Sequence, residues 1–416
     1  MSKKRASKTN ASKEFTFEDL NESLAEIAPL GSTMDVSTFS EITEYISIGS
    51  RILNLAMTGS VFGGIPNNRA VELMGPSGVG KTFIMLCAAK NAQDMGYKIY
   101  WYDSENAVDK KLMEGFGIDV SQVWYEPCNT VEGFRHSVTN LTNKLIDAQR
   151  NGYTIPKVMV FLDSIGNLGT LKELADAESG STKEDMTRAK RIKSLFRILM
   201  TKMAEVKIPF LYSNHTYKTT DFMAAWKGSG GSGREYGASI ILMITKAKLK
   251  DKKKEQVGIV LTAKPNKNRF AKPQTVKTHL DYTAGLNEFT GLQDYMEFGW
   301  EDHGVEKGEI LTEKQLKKKS AGPRSKAVEF KCTEDVENGI ESTMYFVPDK
   351  NASTIAVKEL GRHLTSKEFF SNIFFTEERL KAVDEYAQPF FNYGINDELP
   401  EDELFYVEDA EADLEA

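Results

Sequence analysis

No apolar run in this 416-residue sequence approaches the ~20 residues that a helix needs to cross a bilayer, so no membrane-spanning helix is expected. Cysteine is scarce. Cys87, Cys128 and Cys332 are too few and too far apart for a disulfide framework or a zinc site, which points to a reducing, cytoplasmic setting. The N-terminus, "MSKKRASKTNASK", lacks the apolar centre of a secretory signal. Basic residues stop at Lys381, and the 35 residues after it hold twelve acids. Residues 1–381 therefore carry a formal +5, although the whole chain is −7. An acidic total does not exclude a polyanionic partner here.

What is present suits a globular chain with room for two domains. Residues 1–41 are polar, open with five basic residues before the first acid, and read as an extension. "TFEDLNESLAEIAPLG" within it has the pattern of a short helix. From Ile42, apolar runs of strand length alternate with helical periodicity. The strands are "RAVELM", "YKIYWYD", "QVWYE", "KVMVFLD" and "IPFLYSN"; the helices include "KTFIMLCAAKNAQDMG" and "DMTRAKRIKSLFRILMTKMAEV". Such alternation with apolar strands predicts an α/β fold whose mostly parallel sheet is covered on both faces. "IILMITKAKLK", "GIVLTAK" and "TVKTHLDYT" read as an antiparallel extension. Residues 165–185 and 214–239 read as irregular. The pattern divides the chain into a core at 42–287, a smaller C-terminal domain of mixed helices at 288–395 and an acidic tail at 396–416.

"GPSGVGKT", comprising Gly75, Pro76, Ser77, Gly78, Val79, Gly80, Lys81 and Thr82, follows one such strand and opens a helix. That is the setting of a phosphate-binding loop. Backbone N–H groups cradle the phosphates, Lys81 supplies a charge to the β- and γ-phosphates, and the Thr82 hydroxyl can ligate Mg2+. ATP and Mg2+ are the expected cofactors. Ligands of open parallel sheets bind at the C-terminal strand ends, where this sequence sets Asp103 and Glu105, Asp163, and Asn214 and His215. Asp163 ends an apolar strand, as a metal-holding Walker B carboxylate does. Glu105 is placed to orient the water that attacks the γ-phosphate, and His215 to sense that phosphate. Asp109 joins the nucleotide-binding set.

The order of phosphate loop, "DSEN", "FLDSIGN" and "SNHT" resembles the RecA family over roughly residues 42–300. "VFLDSIGNLGTLKE", "DMTRAKRIKSLFRIL" and "IPFLYSNHTYKT" are more similar to the UvsX recombinases of T-even-type phages than to bacterial RecA. The resemblance implies a RecA-like core, a short N-terminal polymerisation segment and a small α+β C-terminal domain. It also implies a DNA-dependent ATPase that forms a helical homo-oligomeric filament on single-stranded DNA and exchanges strands with a homologous duplex. A single-strand-binding protein, a recombinase loader and a helicase are implied partners, within the host cytoplasm if the protein is phage-encoded. Glu105 matches the catalytic glutamate, and His215 stands where RecA has a sensor glutamine. Lys267 and Arg269 match residues that reach a neighbouring subunit's nucleotide. Leu112 lies near the position of an adenine-stacking tyrosine. Residues 165–185, rich in acids, and 216–237 match the two DNA-binding loops. In the second, Lys218, Lys227 and Arg234 can meet phosphates, Phe222 or Trp226 can stack on bases, and Gly230 and Gly231 permit close approach. Residues 38–48 are the candidate subunit contact. A ring-forming helicase and a non-exchanging, ATP-switched coat protein are the competing readings; filaments with strand invasion, rings, or filaments without invasion separate the three.

The charge asymmetry is testable. Truncation after Asn396 removes ten acids and takes the formal charge from −7 to +3. If the tail competes with DNA for basic surface, the truncated protein binds duplex DNA more tightly in dilute buffer. The advantage fades as salt shortens the Debye length to ~8 Å. Equal affinities at low salt would exclude that competition.

Overall fold

The structure, a computed structural model, describes residues 15–28, 30–180, 187–218, 226–228, 237–250, 253–292, 305–312, 328–335, 340–348, 354–357, 362–365, 371–372 and 375–393. Helix α1 (Phe17–Ile27) begins at a capping box, in which the Thr16 side chain accepts from Asp19 N–H and the Asp19 carboxylate accepts from Thr16 N–H. Phe17, Leu20, Leu24 and Ile27 recur at helical spacing, yet none is buried.

The chain then enters its core. β1 (Tyr45–Ile46) and β2 (Ile65–Pro66) pair antiparallel around α2 (Arg51–Thr58). Ile46 and Ile48 are fully buried. Segment 38–41 is bound by Arg69 to Ser40 O at 3.0 Å, and by Lys207 and Asn68 to Glu41 O at 2.6 and 2.9 Å. The candidate subunit contact at 38–48 therefore packs in large part on its own chain. The unburied apolar stripe belongs to α1.

The main sheet contains β3 (Ala70–Gly75), β4 (Lys98–Asp103), β5 (Val123–Pro127), β6 (Val158–Asp163), β7 (Phe210–Lys218), β8 (Trp226–Gly228), β9 (Ile240–Lys250), β10 (Gln256–Asn268), β11 (Val276–Asp281) and β12 (Gly285–Leu286). Their order is β5-β4-β6-β7-β3-β9-β10-β11-β12, with β8 paired to β7. From β5 to β9 all pairs are parallel; beyond β9 they are antiparallel, as the sequence predicts. Alternation sorts side chains between two layers. Val71, Leu73, Ile99, Trp101, Met159 and Phe161 pack with α2 and α3 (Lys81–Asp94). Val158, Val160, Leu162, Phe210 and Tyr212 pack with α5 (Val131–Arg150) and α7 (Arg188–Glu205). Ala88, Ala89 and Ala92, all fully buried, let α3 lie close against the sheet. α4 (Lys110–Gly115) follows β4.

Two segments expected to be irregular have structure. Residues 165–167 form a 3-10 turn, and Leu171–Glu178 form α6, started by a capping box between Thr170 and Glu173. β7 continues past Asn214 to Lys218 and pairs antiparallel with β8, Lys218 opposite Trp226. The base of the second segment is thus a two-stranded ribbon.

Beyond Asn287 the expected mixed helices give way to an antiparallel sheet of β13 (Val305–Thr312), β14 (Val328–Asp335), β15 (Ile340–Pro348), β16 (Thr354–Val357) and β17 (Arg362–Thr365), in the order β14-β15-β13-β16-β17. α8 (Glu377–Phe391) then returns to the core, where Leu380, Val383, Ala387 and Phe391 join the α2 layer. Phe375 stacks on Phe289 at 5.2 Å. The buried Asp384 carboxylate accepts from Val61 N–H at 2.6 Å and Ser60 Oγ at 3.1 Å. The end of α8 also holds the turn after β10, through Lys272 N–H to Phe391 O at 2.6 Å and Tyr393 OH to Asn268 O at 3.1 Å.

Asp384→Ala leaves the buried Val61 N–H without this acceptor, which costs about 1–3 kcal/mol. Urea denaturation should show that loss. The exposed neighbour Glu385→Ala should stay within about 0.5 kcal/mol of the parent. Equal midpoints for the two variants would show that the α8 contact is dispensable.

Candidate functional site

Four strand ends meet at one edge of the sheet because their registers coincide. Gly75 pairs with His215, and Asp103 with Asp163. At Gly75 a Cβ would come within 2.4 Å of Ile244 O, so a glycine is required where β9 passes. Gly78 and Gly80 have φ of 70° and 88°, which let the loop curl before α3 starts at Lys81. The nearly buried Lys81 ammonium donates to Gly75 O and Pro76 O, both at 2.9 Å, and lies 3.5 Å from His215 Nδ1. Burial pulls its pKa down, against the opposing charges of Glu105 and Asp163.

Asp163, like Asp103, is a buried carboxylate of the site. Thr82 Oγ1 donates to its Oδ2 at 2.6 Å, and Ser213 Oγ to its Oδ1. Burial raises its pKa; the two hydroxyls oppose that, while Glu105 and Asp103 repel its charge. A hydroxyl beside a carboxylate is a hard-oxygen pair, the chemistry that suits Mg2+. Among the described residues no group of three or more His, Cys, Asp or Glu is arranged to hold a metal.

Asp103 shapes the loop that carries Glu105. Its Oδ1 accepts from Glu105 N–H and Asn106 N–H at 2.8 Å, and its Oδ2 accepts from Tyr125 OH at 3.1 Å. The Tyr125 hydroxyl is pushed up to about 12, by burial first and then by the Asp103 charge. Ser104 Oγ donates to Ser164 O at 2.7 Å and accepts from Ser164 N–H at 2.9 Å, which ties the loop to the end of β6. Glu105 then meets His215, Oε1 to Nε2, at 2.6 Å. Lysine can only donate and a carboxylate only accepts, so a neutral imidazole with its proton on Nε2 satisfies both neighbours.

The structure thus gathers Lys81, Thr82, Glu105, Asp163 and His215. Asp109 is the N-cap of α4, accepting from Leu112 N–H at 2.8 Å. Lys267 and Arg269 do not join this site. Lys267 pairs with Ile241 on β9, and Arg269 N–H reaches Ser239 O, level with Ala70 at the start of β3. They lie toward the opposite end of the sheet from the phosphate loop. Lys218, Trp226 and Lys227 lie on the β7–β8 ribbon, whereas Phe222, Gly230, Gly231 and Arg234 fall outside the described residues.

Three residues escaped the sequence reading. Ser213 was legible in principle, because it stands two positions before His215 and so shares its face of β7. Lys246 Nζ donates to Gly78 O at 2.7 Å, buttressing the loop from β9. Arg188 donates to Ile165 O, Gly166 O and Leu168 O at 3.1, 2.6 and 2.7 Å, gathering the turn after β6. These two reach across long sequence separations and leave no local pattern.

The family described as RecA N-terminal domain matches residues 20–287. The chain is 30% identical over 274 residues to the recombination and repair protein of enterobacteria phage T4, covering 65% of this chain and 68% of that protein. It is 24% identical over 258 residues to Protein RecA of Streptomyces venezuelae, covering 61% and 64%. With Protein RecA of a Synechococcus species it shares 27% over 254 residues, covering 58% and 61%. These alignments span between 61% and 68% of the relatives' length.

The raised pKa of Asp163 gives a signed prediction. Its charged form burdens the folded state above that value, and the burden lifts as pH falls through it. Asp163→Asn in nucleotide-free protein should therefore raise the unfolding midpoint near neutral pH, by a margin that shrinks on acidification. The same variant should bind nucleotide more weakly. A lower midpoint near neutral pH would mean that the Thr82 and Ser213 bonds outweigh desolvation.

Proposed function

Because the chain belongs to the RecA family, we propose that it is a DNA-dependent ATPase that assembles as a helical filament on single-stranded DNA and pairs it with a homologous duplex. The observation that carries this reading is the position of His215. It contacts the glutamate and the lysine of the phosphate site, and it sits on the strand that runs directly into segment 216–237.

ATP would place its phosphates in loop 75–82, with the Lys81 ammonium turning from the Gly75 and Pro76 carbonyls to the β- and γ-phosphates. Thr82 and Asp163 would hold Mg2+, which when bound would supply positive charge to the phosphate oxygens. Glu105 orients a water and accepts its proton as the water oxygen bonds to the γ-phosphorus and the bond to ADP breaks. Asp103 and Ser104 keep Glu105 in place, so that hydrolysis rests on positioning and charge compensation. His215, freed or engaged by the γ-phosphate, passes that state along β7.

Residues 42–287 form the ATPase core in this reading, with 1–41 as the extension that contacts the next subunit. The exposed apolar stripe of α1 supports that role. Lys267 and Arg269, remote from their own phosphate loop, would serve a neighbour's nucleotide. Segments 165–185 and 216–237 would contact DNA. The exposed Lys190, Arg191, Lys193 and Arg197 of α7 extend the basic surface behind the first of them. The acidic tail at 396–416 would temper that affinity.

Electron microscopy with single-stranded DNA and a slowly hydrolysed ATP analogue, together with a strand-invasion assay, tests the assembly. Regular filaments with invasion support it; rings, or filaments without invasion, refute it. Glu105→Gln tests the chemistry. It should keep ATP binding, lose well over tenfold in turnover and dissociate more slowly from DNA. A fall of less than tenfold, a barrier change below ~1.4 kcal/mol, would remove Glu105 from the catalytic role.

A further inference from the structure

Glu72 is a fully buried carboxylate that the proposed chemistry does not use. It lies on β3, three residues before Gly75, and alternation turns it away from the nucleotide toward the layer that holds Ala70, Met74 and Tyr212. Its Oε1 accepts from Asn214 Nδ2 at 2.8 Å and its Oε2 from Tyr212 OH at 3.1 Å. Asn214 is also fully buried, and Phe196 of α7 packs its ring 5.3 Å from that of Tyr212.

The pairing register explains what these bonds fix. Glu72 stands opposite Tyr212 and Met74 opposite Asn214, so Glu72 reaches Asn214 diagonally, two positions ahead along the neighbouring strand. A slip of β7 by one residue would reverse every side chain. It would bring the Asn214 amide to the phosphate side and send His215 into the apolar layer. Packing alone opposes such a slip weakly at the end of a strand. Two hydrogen bonds to a buried carboxylate oppose it strongly, because each unmade bond would leave a desolvated polar group. An apolar side chain would fill this site at lower cost but would not hold the register.

We infer that Glu72 is a positioning residue for ATP turnover: by clamping Tyr212 and Asn214 it holds His215 on the phosphate face, between Lys81 and Glu105, and couples the phosphate strand to the strand that leads into segment 216–237. The inference rests on the proposed ATPase reading. Glu72 faces the layer away from the nucleotide, so its loss changes the coupling and not the phosphate cradle.

Glu72→Gln keeps the shape but presents an N–H2 to one of two donors, so one of the two bonds fails. The full-length variant should bind ATP within about threefold of the parent and keep its KM for ATP. Its DNA-stimulated kcat should fall at least tenfold at a temperature well below unfolding. Asn214→Ala should give the same split between kcat and KM, and the double variant should be no worse than the more impaired single one. Tyr212→Phe, which leaves the Asn214 bond, should lose less. If Glu72→Gln does not fold, Asn214→Ala and Tyr212→Phe carry the test. Parental kcat in Glu72→Gln, or in Asn214→Ala, would overturn the inference and leave Glu72 a purely structural group. Failure of the underlying reading looks different, since the parent protein would then show no DNA-stimulated turnover to lose.

Discussion

Parallel pairing holds Gly75 against His215 and Asp103 against Asp163, and the meeting of the strand ends at the site follows from those two alignments. A sheet offers each side chain one of two faces, and the nucleotide face here receives Ser213 and His215 from β7 and Asp163 from β6. The opposite face receives Tyr212 and Asn214, which grip Glu72. One strand end therefore does two jobs with alternate residues: it presents His215 to Lys81 and Glu105 on one side and anchors itself on the other. Glycine at position 75 completes the arrangement, because the phosphate loop must leave the sheet where β9 leaves no space for a Cβ.

The site is built from buried charge. Lys81, Asp163 and Glu72 all lie out of water, and burial moves the first two in the directions that oppose their ionised forms. Each is offset locally: carbonyls hold the ammonium, hydroxyls hold Asp163, and an amide and a phenol hold Glu72. At the phosphate loop the Lys81 ammonium lies in the field of Glu105 and Asp163, whose charges oppose the fall in its pKa.

Much of this was legible because the chemistry sits in short contiguous motifs. The glycine spacing of 75–82, the apolar run ending at Asp163 and the "SNHT" at the end of β7 needed only local pattern, and the parallel core with its antiparallel extension followed from strand–helix alternation. Contacts across the chain were not legible. Lys246 looked like one lysine of a basic hairpin, Arg188 like one cation of an amphipathic helix, and Glu72 like an interruption in an apolar strand. α6 was missed although Thr170 and Glu173 carry its start signal, because the stretch after β6 read as irregular and matched a DNA-binding loop. The strands after Asn287 did not follow from local pattern, which read as mixed helices, although the resemblance implied an α+β domain there. The return of α8 to the core depends on Asp384 meeting a turn more than three hundred residues away.

The placement of Lys267 and Arg269 has a geometric consequence. The phosphate loop lies at one end of the sheet and these two side chains toward the other, so a contact that unites them joins unlike surfaces. Such a contact cannot be related by a two-fold axis, and its repetition gives an open polymer or a closed cycle with direction. Every such open polymer is polar. At one tip would stand a subunit whose nucleotide lacks a neighbour, and at the other a subunit whose Lys267 and Arg269 meet no neighbour's nucleotide. The tips are chemically different places, able to gain and lose subunits at different rates and to age differently as nucleotide is consumed.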